Sequence, residues 1–193
     1  MPLLPREPCV FPDDLLASTE RDQAEAKWWV LHTRPRSEKS LVRRLLPDGV
    51  SFFLPLYERR WRSRGRLMAS HLPLFPGYIF IHADSGGRLR ALETNLIVNC
   101  IPVADQARLR ADLERVFRLM TSDAPLGPEA RLPPGAPVAI VRGPLAGLEG
   151  KVIRRGGRLT FFVEVEMLRQ GVSVELESWM IEPTGARELA PAN

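Results

Sequence analysis

The chain has 193 residues, of which 45% are hydrophobic, so it is long enough to bury one ordinary core or two small ones. It has no apolar run of about 18 or more residues, and it begins with "MPLLPREPCVFPDDLLAS", which has acids and prolines where a signal peptide is continuously apolar; we therefore expect a cytoplasmic protein. The net charge is only +4, and Cys9 and Cys100 lack the paired spacing of a disulfide framework or a zinc site.

The positive charge is concentrated in one part of the chain. Residues 27–66 contain eleven lysines and arginines against three acids, a balance of +8, whereas residues 1–26 contain two arginines against six acids, a balance of −4. The remainder is neutral, which recovers the total of +4. A local basic patch is typical of a surface that binds polyanions, although a charge run alone is more often a solvated surface.

The first half of the chain opens with an extension and then alternates strands and helices. Residues 1–26, rich in prolines and acids, predict a flexible N-terminal extension. A strand is predicted at "KWWVLHT", followed by a helix at "RPRSEKSLVRRLL" whose apolar positions fall on one side. The basic positions Arg36, Lys39 and Arg43 of that helix are spaced by three and four, so they share another side.

Further strands follow that helix. A strand at "VSFFLPLY" leads into "RRWRSRGRLMASHL", which predicts a hairpin turning near Ser63 to Gly65. The strand "YIFIHA" places Tyr78, Phe80 and His82 on one face by its period of two. A short helix, a strand at "LIVNCIPV" and an amphipathic helix at "ADQARLRADLERVFRLM" complete the order β-α-β-β-α-β-α. This order predicts an α+β protein whose first domain is an α/β sandwich with a mainly antiparallel sheet.

The pattern changes near residue 121. Residues 122–136 combine prolines and glycines without periodicity and predict a linker. Beyond it lie four short strands at "VAIVRG", "GKVIRR", "LTFFVEVEM" and "GVSVELES", which predict a small β-barrel. Strict alternation on the last two strands places these residues inward: Phe161, Val163, Val165, Met167, Val172, Val174 and Leu176.

A glycine-rich loop joins the first two strands of the predicted barrel. It reads "VRGPLAGLEGKV" and contains Gly143, Pro144, Gly147 and Gly150 at fixed offsets. This loop resembles the KOW motif, which lies in a five-stranded, SH3-like barrel. The earlier "WWVLHTRPRSEK" and "PLFPGYIFI", with the basic hairpin between them, closely resemble the NGN domain of the NusG family of transcription elongation factors. The resemblance implies an NGN domain at 27–121, the linker at 122–136, a KOW domain at 137–183 and a tail at 184–193.

The resemblance also implies where RNA polymerase binds. In NusG-like proteins the strand matching "FPGYIFI" floors a hydrophobic depression that receives two clamp helices of the polymerase's largest subunit. The matching positions are Phe75, Pro76, Tyr78 and Phe80. An exposed aromatic patch at the end of a rigid strand is a typical anchor for a partner helix, although such aromatics are ordinarily core. A contact with the second large subunit falls at Leu92-Glu93-Thr94, where only Thr94 matches a specialised relative.

Two basic regions resemble the parts of family members that lie near upstream DNA and the displaced non-template strand. Arginines around a tryptophan can contact phosphates and stack on an unpaired base, and phosphate contacts carry no sequence information. The implied nucleic-acid-binding residues are Arg34, Arg36, Lys39 and Arg43 at the first helix, and Arg59, Arg60, Trp61, Arg62, Arg64 and Arg66 in the hairpin.

The remaining features concern the class of protein. His32, His71 and His82 have no ligand spacing and no nucleophile motif is present, so we expect no enzyme, no cofactor and no metal. The chain has "MLRQG" where a housekeeping NusG reads close to Ile-Phe-Gly-Arg, which favours a specialised, RfaH- or LoaP-like monomer that suppresses pausing or termination at particular operons. Two alternatives stay open: a housekeeping factor coupled to Rho or the ribosome, and a KOW-type ribosome-associated RNA-binding protein.

Overall fold

The structure, a computed structural model, describes residues 7–17, 25–122, 126–129, 135–155, 158–176 and 180–183. The chain divides into two compact units, Met1–Arg110 and Ala111–Asn193. The tail predicted at 184–193 lies outside the described residues. In chain order the elements are β1 (Val10–Phe11), β2 (Lys27–Thr33), α1 (Glu38–Leu45), β3 (Ser51–Phe53), β4 (Leu56–Ser63), β5 (Arg66–Pro73), β6 (Tyr78–Ala83), α2 (Ser85–Glu93), β7 (Ile97–Pro102), α3 (Gln106–Met120), β8 (Leu126–Glu129), β9 (Ala136–Ile140), β10 (Glu149–Arg155), β11 (Arg158–Val165), β12 (Gln170–Leu176) and β13 (Ile181–Pro183).

Five strands of the first unit form one antiparallel sheet in the order β1-β3-β6-β2-β7. The two central strands pair Val30 with Phe80 and Leu31 with Ile79. Residues paired in this way point to the same face of the sheet, so Val30 and Phe80 share one face and Leu31 and Ile79 share the other. The mainly antiparallel sheet predicted from the sequence is confirmed.

The face that carries Leu31 and Ile79 is covered by the first two helices. Leu41 and Leu45 of α1 and Ala91 of α2 belong to the same buried cluster as these two strand residues. All five have a relative exposure of 0%. Burying one leucine or isoleucine side chain stabilises a fold by about 1.5–3 kcal/mol, so this cluster is a main source of the first unit's stability.

The N-terminal segment, residues 7–17, differs from the flexible extension that the sequence predicts. Its strand β1 pairs with β3, matching Val10 with Phe53 and Phe11 with Phe52. The rings of Phe11 and Phe52 are stacked with their centroids 6.0 Å apart. The side chain of Leu15 is also buried. Apolar burial and an edge-strand pairing therefore hold this segment on the sheet, although it lacks any hydrophobic periodicity.

The hairpin predicted from the sequence is confirmed as a separate two-stranded sheet of β4 and β5. Its ladder runs from the pair Leu56 and Pro73 to the pair Ser63 and Arg66. The turn residues between these strands are Arg64, with φ of 48°, and Gly65, with φ of 78°. Left-handed backbone at both positions is the signature of a type I′ turn, whose twist matches that of the strands it joins.

The second unit contains a six-stranded antiparallel sheet in the order β13-β9-β10-β11-β12-β8. The four strands predict a small barrel and the KOW resemblance implies a five-stranded, SH3-like one. This barrel is not confirmed, because no pairing within the described residues joins β13 to β8 and closes the sheet. The additional strand comes from the segment predicted as a linker, where Leu126 pairs with Val174. It occupies the edge of β12, whose unpaired backbone groups would otherwise face solvent.

The residues predicted to point inward along β11 are buried, but burial does not alternate along the strand. Phe161, Val163 and Val165 have a relative exposure of 0%, and Thr160 and Phe162 on the opposite face are buried as well, at 7% and 2%. Met167 was predicted to point inward but is 36% exposed. The reason is local, because β11 ends at Val165 and the chain continues as a short 3₁₀ turn, Glu166–Leu168, in which the strand period no longer applies.

Candidate functional site

A tight turn precedes β6 and is fixed by its own backbone. The Tyr78 N–H donates to the Phe75 carbonyl at 3.0 Å, which closes the Phe-Pro-Gly turn. Gly77 has a φ of 85°, a left-handed conformation in which a side chain would be strained. Its carbonyl accepts a hydrogen bond from the Thr33 N–H at 2.8 Å, which ties the turn to the end of β2.

A buried carboxylate ties the same turn to α1. The Gly77 N–H donates to Oε1 of Glu38 at 2.8 Å, and Glu38 is only 7% exposed. Glu38 lies in the first turn of α1, where the helix dipole favours a negative charge. The backbone of Gly77 is therefore held on both sides, by β2 through its carbonyl oxygen and by α1 through its nitrogen.

We expect Glu38→Ala to lower the free energy of unfolding by about 1–3 kcal/mol, because it leaves the partly buried Gly77 N–H without an acceptor. Glu38→Gln keeps a carbonyl oxygen at the same place and is expected to cost less than half of that. Urea denaturation of the full chain measures both. Equal losses for the two variants would show that the charge of Glu38, and not its hydrogen bond to the turn, is what matters.

The aromatic residues around this turn differ in exposure. Pro76 is exposed and Tyr78 is half-buried, with its ring stacked on His32 at a centroid distance of 5.1 Å. Phe75 and Phe80, which we expected in an exposed patch, are 1% and 0% exposed. Their burial has a packing cause, because the ring of Phe80 lies 5.9 Å from Phe75 in an edge-to-face contact and 6.3 Å from Phe53 on the neighbouring strand.

Thr94, a predicted polymerase contact, is also buried, with 7% exposure. Its hydroxyl donates to the Ala91 carbonyl at 2.7 Å. The Leu96 N–H in turn donates to that hydroxyl at 3.4 Å. The Thr94 carbonyl accepts a hydrogen bond from Arg44 at 3.1 Å. The side chain thus ends α2 and shapes the following loop, and it is not presented at the surface.

The hairpin formed by β4 and β5 presents two different faces. Trp61 pairs with Met68, and the flanking position Arg59 lies on the same face by the period of two. Trp61 is 41% exposed and Met68 is 43% exposed, so a flat aromatic ring and a thioether lie side by side in solvent. Arg66 pairs with Ser63 on this face as well. We call this the tryptophan face.

The opposite face of the hairpin carries a different set. Arg60 and Arg62 lie there together with Glu58 and the highly exposed Leu67. Arg60 donates to the Glu58 carboxylate at 2.8 Å, so part of the positive charge of this face is already neutralised. Apart from Arg64, which lies in the turn, the hairpin residues predicted to bind nucleic acid are therefore divided between a face with an aromatic ring and a face with an ion pair.

The basic residues of α1 lie beside the N-terminal segment. Arg34 and Arg36 are exposed and precede α1, which begins at Glu38. The prediction that Arg36 shares a helix side with Lys39 and Arg43 is therefore wrong, because Arg36 has a left-handed φ of 60° and lies before the helix. Arg43 donates through Nε to Oε1 of Glu7 at 2.8 Å and through Nη2 to the same oxygen. Nζ of Lys39 lies 3.9 Å from Oε2 of Glu7. Burial by itself raises the pKa of Glu7, but the hydrogen bond from Arg43 and the charges of Arg43 and Lys39 lower it by more, so its pKa lies below the ordinary value.

The glycines of the predicted KOW loop have separate structural causes. Gly143 and Gly147 have φ of 86° and 85°. Gly150 is instead required by space, because an added Cβ would lie 2.3 Å from the Phe162 carbonyl oxygen. Pro144 is exposed between them, while Leu145 is buried and anchors the loop.

A family model described as "Transcription termination factor nusG" matches residues 26–122, just over half of the 193 residues. The chain belongs to the NusG family. Membership makes it a transcription factor of the NusG type, in a family that binds RNA polymerase. The matched range contains the turn, the hairpin and α1, so every residue that the sequence predicts to bind polymerase or nucleic acid lies inside it.

One solved structure agrees with this NusG-family assignment at the level of the fold. The structure of Thermotoga maritima NusG described for its domain interaction matches with a TM-score of 0.50 at 16% identity, covering 83% of this chain and 98% of that chain. A crystal structure of the MjSpt4:Spt5 complex in conformation B matches with a TM-score of 0.26 at 17% identity, covering 81% of this chain and 96% of that chain. The second score is too low to carry an argument. No curated protein sequence matches the chain.

Two acidic residues of this NusG-family chain were missed by the sequence analysis. Glu38 carries a weak signal, an acid in the first turn of a helix, but its partner Gly77 is 39 residues away. Glu7 lies in a segment without periodicity and carries no signal at all. Within the described part of the chain, no three histidines, cysteines or acids come together where they could hold a metal ion. Among its helices, none has the length and hydropathy that crossing a bilayer requires.

Proposed function

We propose that this protein is a bacterial transcription elongation and antitermination factor that binds the clamp helices of RNA polymerase's largest subunit with its first unit. The observation that carries this proposal is the Phe-Pro-Gly turn, in which the backbone carbonyl and N–H of Gly77 are held by Thr33 and Glu38. A rigid turn beside an aromatic strand end can receive a partner helix without a large loss of conformational entropy.

The proposed polymerase surface has an outer and an inner layer. Pro76 and Tyr78 form the outer layer, since both are accessible to a partner. Phe75 and Phe80 form the buried floor that supports them. Thr94 shapes the loop proposed to face the second large subunit and does not contact it through its own side chain.

Nucleic acid is proposed to bind to the hairpin and to the start of α1. The stretch of the hairpin from Glu58 to Ala69 is exposed and includes five arginines and Trp61. Arginines supply contacts to phosphates, and an exposed indole ring supplies a surface on which an unpaired base can stack. These contacts suit upstream DNA or the displaced non-template strand, and they are independent of base sequence.

The proposed effect on transcription is a shift between states of the polymerase. A factor that binds the closed clamp better than the open clamp holds it closed and disfavours the paused state, without any chemical step. The proposed form is a cytoplasmic monomer, specialised for particular operons in the manner of RfaH or LoaP. Residues 137–183 of the second unit are proposed to be a KOW domain of the SH3-like type, which follows the linker at 122–136 and can recruit Rho or the ribosome.

The test is a titration of the full chain against an isolated clamp-helix fragment of a bacterial RNA polymerase. We expect saturable binding by the wild type and a loss of about tenfold or more for Tyr78→Ala, because truncating a central aromatic anchor is typically that costly. Tyr57→Ala, the same change at the half-buried Tyr57 at the base of the hairpin, is the matched control and should bind like the wild type.

Either of two results would contradict the polymerase assignment. If the folded wild-type chain does not bind the clamp-helix fragment, the proposal that it binds RNA polymerase through the clamp helices is wrong. Equal losses for Tyr78→Ala and Tyr57→Ala would keep binding but move it away from the Phe-Pro-Gly turn.

A further inference from the structure

The N-terminal segment brings an acidic group onto the basic side of α1. The Leu54 N–H donates to the Cys9 carbonyl at 2.6 Å, next to the short ladder between β1 and β3. The stacking of Phe11 on Phe52 fixes the segment at the same place. Glu7, two residues before Cys9, is thereby held against α1 with an exposure of only 9%.

The carboxylate of Glu7 takes the donors that a phosphate would use. Two N–H groups of the Arg43 guanidinium converge on one oxygen of Glu7, and the Lys39 ammonium lies 3.9 Å from the other oxygen. A guanidinium recognises carboxylates and phosphates with the same pair of donors. Arg43 is still 46% exposed and Lys39 33% exposed, so a phosphate can approach both and exchange with the carboxylate.

We propose that Glu7 is a built-in competitor of nucleic acid: while it is docked, this region binds a phosphate backbone through Arg34 and Arg36, which precede α1, and release of Glu7 adds Arg43 and Lys39 of α1. This inference rests on the proposed function, because it concerns regulation of the same nucleic-acid surface. The competitor is covalently tethered, so it acts at a high effective concentration and weakens binding without abolishing it. The hairpin is unaffected and supplies the basal affinity.

The experiment compares three full-length proteins, the wild type, Glu7→Gln and Asp13→Asn, in binding a fluorescent single-stranded oligonucleotide over a series of salt concentrations. Asp13→Asn is the matched control, because Asp13 is an exposed acid of the same segment and its loss changes the net charge equally. We expect Glu7→Gln to bind about three- to tenfold more tightly. The slope of log affinity against log salt should become steeper by about 0.7 to 1.4, which corresponds to one or two added phosphate contacts. Asp13→Asn should change the affinity less than twofold.

A second comparison tests whether the gain passes through α1. In an Arg43→Gln background, Glu7→Gln should increase the affinity for the oligonucleotide by less than half as much as it does in the wild type. The reason is that Arg43, the main residue that Glu7 keeps from the phosphate, is already absent. Equal affinities of Glu7→Gln and Asp13→Asn, with the wild type binding measurably, would overturn the competitor and leave the nucleic-acid function standing. Absence of binding by all of the proteins would overturn both.

Discussion

Replacing the five hairpin arginines by glutamine should weaken binding of single-stranded DNA by about two orders of magnitude at low salt. The residues are Arg59, Arg60, Arg62, Arg64 and Arg66. Each phosphate contact on a single strand contributes about 0.7 to the slope of log affinity against log salt, so five contacts make binding strongly salt-dependent. The variant should therefore show a slope smaller by as much as about 3.5, and the two proteins should converge in affinity as the salt concentration rises.

The two faces of the hairpin allow a sharper version of this experiment. Arg59→Gln with Arg66→Gln, on the tryptophan face, removes the same charge as Arg60→Gln with Arg62→Gln on the other face. We expect the first pair to lose more affinity, because its arginines flank the exposed Trp61 on which a base can stack. Arg60 is already paired with Glu58, so part of its charge is neutralised before any phosphate arrives.

Trp61→Ala separates stacking from charge. Loss of one stacked base should cost about 1–3 kcal/mol and leave the salt slope unchanged, because no phosphate contact is removed. Equal effects of the two arginine pairs, together with no effect of Trp61→Ala, would mean that the hairpin acts only as a diffuse positive charge. An unchanged affinity of the five-arginine variant would remove the hairpin from the nucleic-acid surface.

The sequence predicts the central elements of the fold well because their signals are local. The period of two in β6 and the basic hairpin with its Arg64-Gly65 turn depend only on neighbouring residues. β1 could not be predicted in the same way, because it has two residues and is held by Phe52 and by the Leu54 N–H from elsewhere in the chain. β8 reads "LGPE", with a glycine and a proline that argue against a strand, and it forms on the free edge of β12.

At the candidate site, the sequence pattern does not predict which aromatic side chains are exposed. Period two puts Tyr78 and Phe80 on the same face, but it does not tell which of them a partner can reach. Their exposure is decided by packing, because Phe80 lies between Phe53 and Phe75 whereas Tyr78 stacks on His32 near the turn. The contacts of Glu38 with Gly77 and of Glu7 with Arg43 join residues far apart in the chain, and no spacing rule indicates them.

Gly150→Ala should destabilise the second unit by about 3 kcal/mol, because overpacking against backbone cannot be relieved by a change of rotamer. The added Cβ would lie 2.3 Å from the Phe162 carbonyl oxygen and 2.6 Å from Cζ of Phe161. Phe162 pairs with Lys151 in the ladder between β10 and β11, so moving its carbonyl away disturbs the pairing of the two strands. Thermal or urea unfolding of the full chain measures the loss.

Gly147→Ala is the matched control, and it separates two reasons for a glycine. Gly147 has a φ of 85° but no atom within 4 Å of an added Cβ, so alanine there is strained only in its backbone, at a cost of about 1–2 kcal/mol. Gly150 has the opposite situation, a crowded position without a left-handed φ. If Gly150→Ala costs no more than Gly147→Ala, β10 can move away from β11 and the close approach is not a requirement of the fold. A larger loss of stability for Gly150→Ala, which we expect, would mean that sheet packing alone requires a glycine at position 150. No ligand bound by the loop is then needed to explain why the residue is glycine.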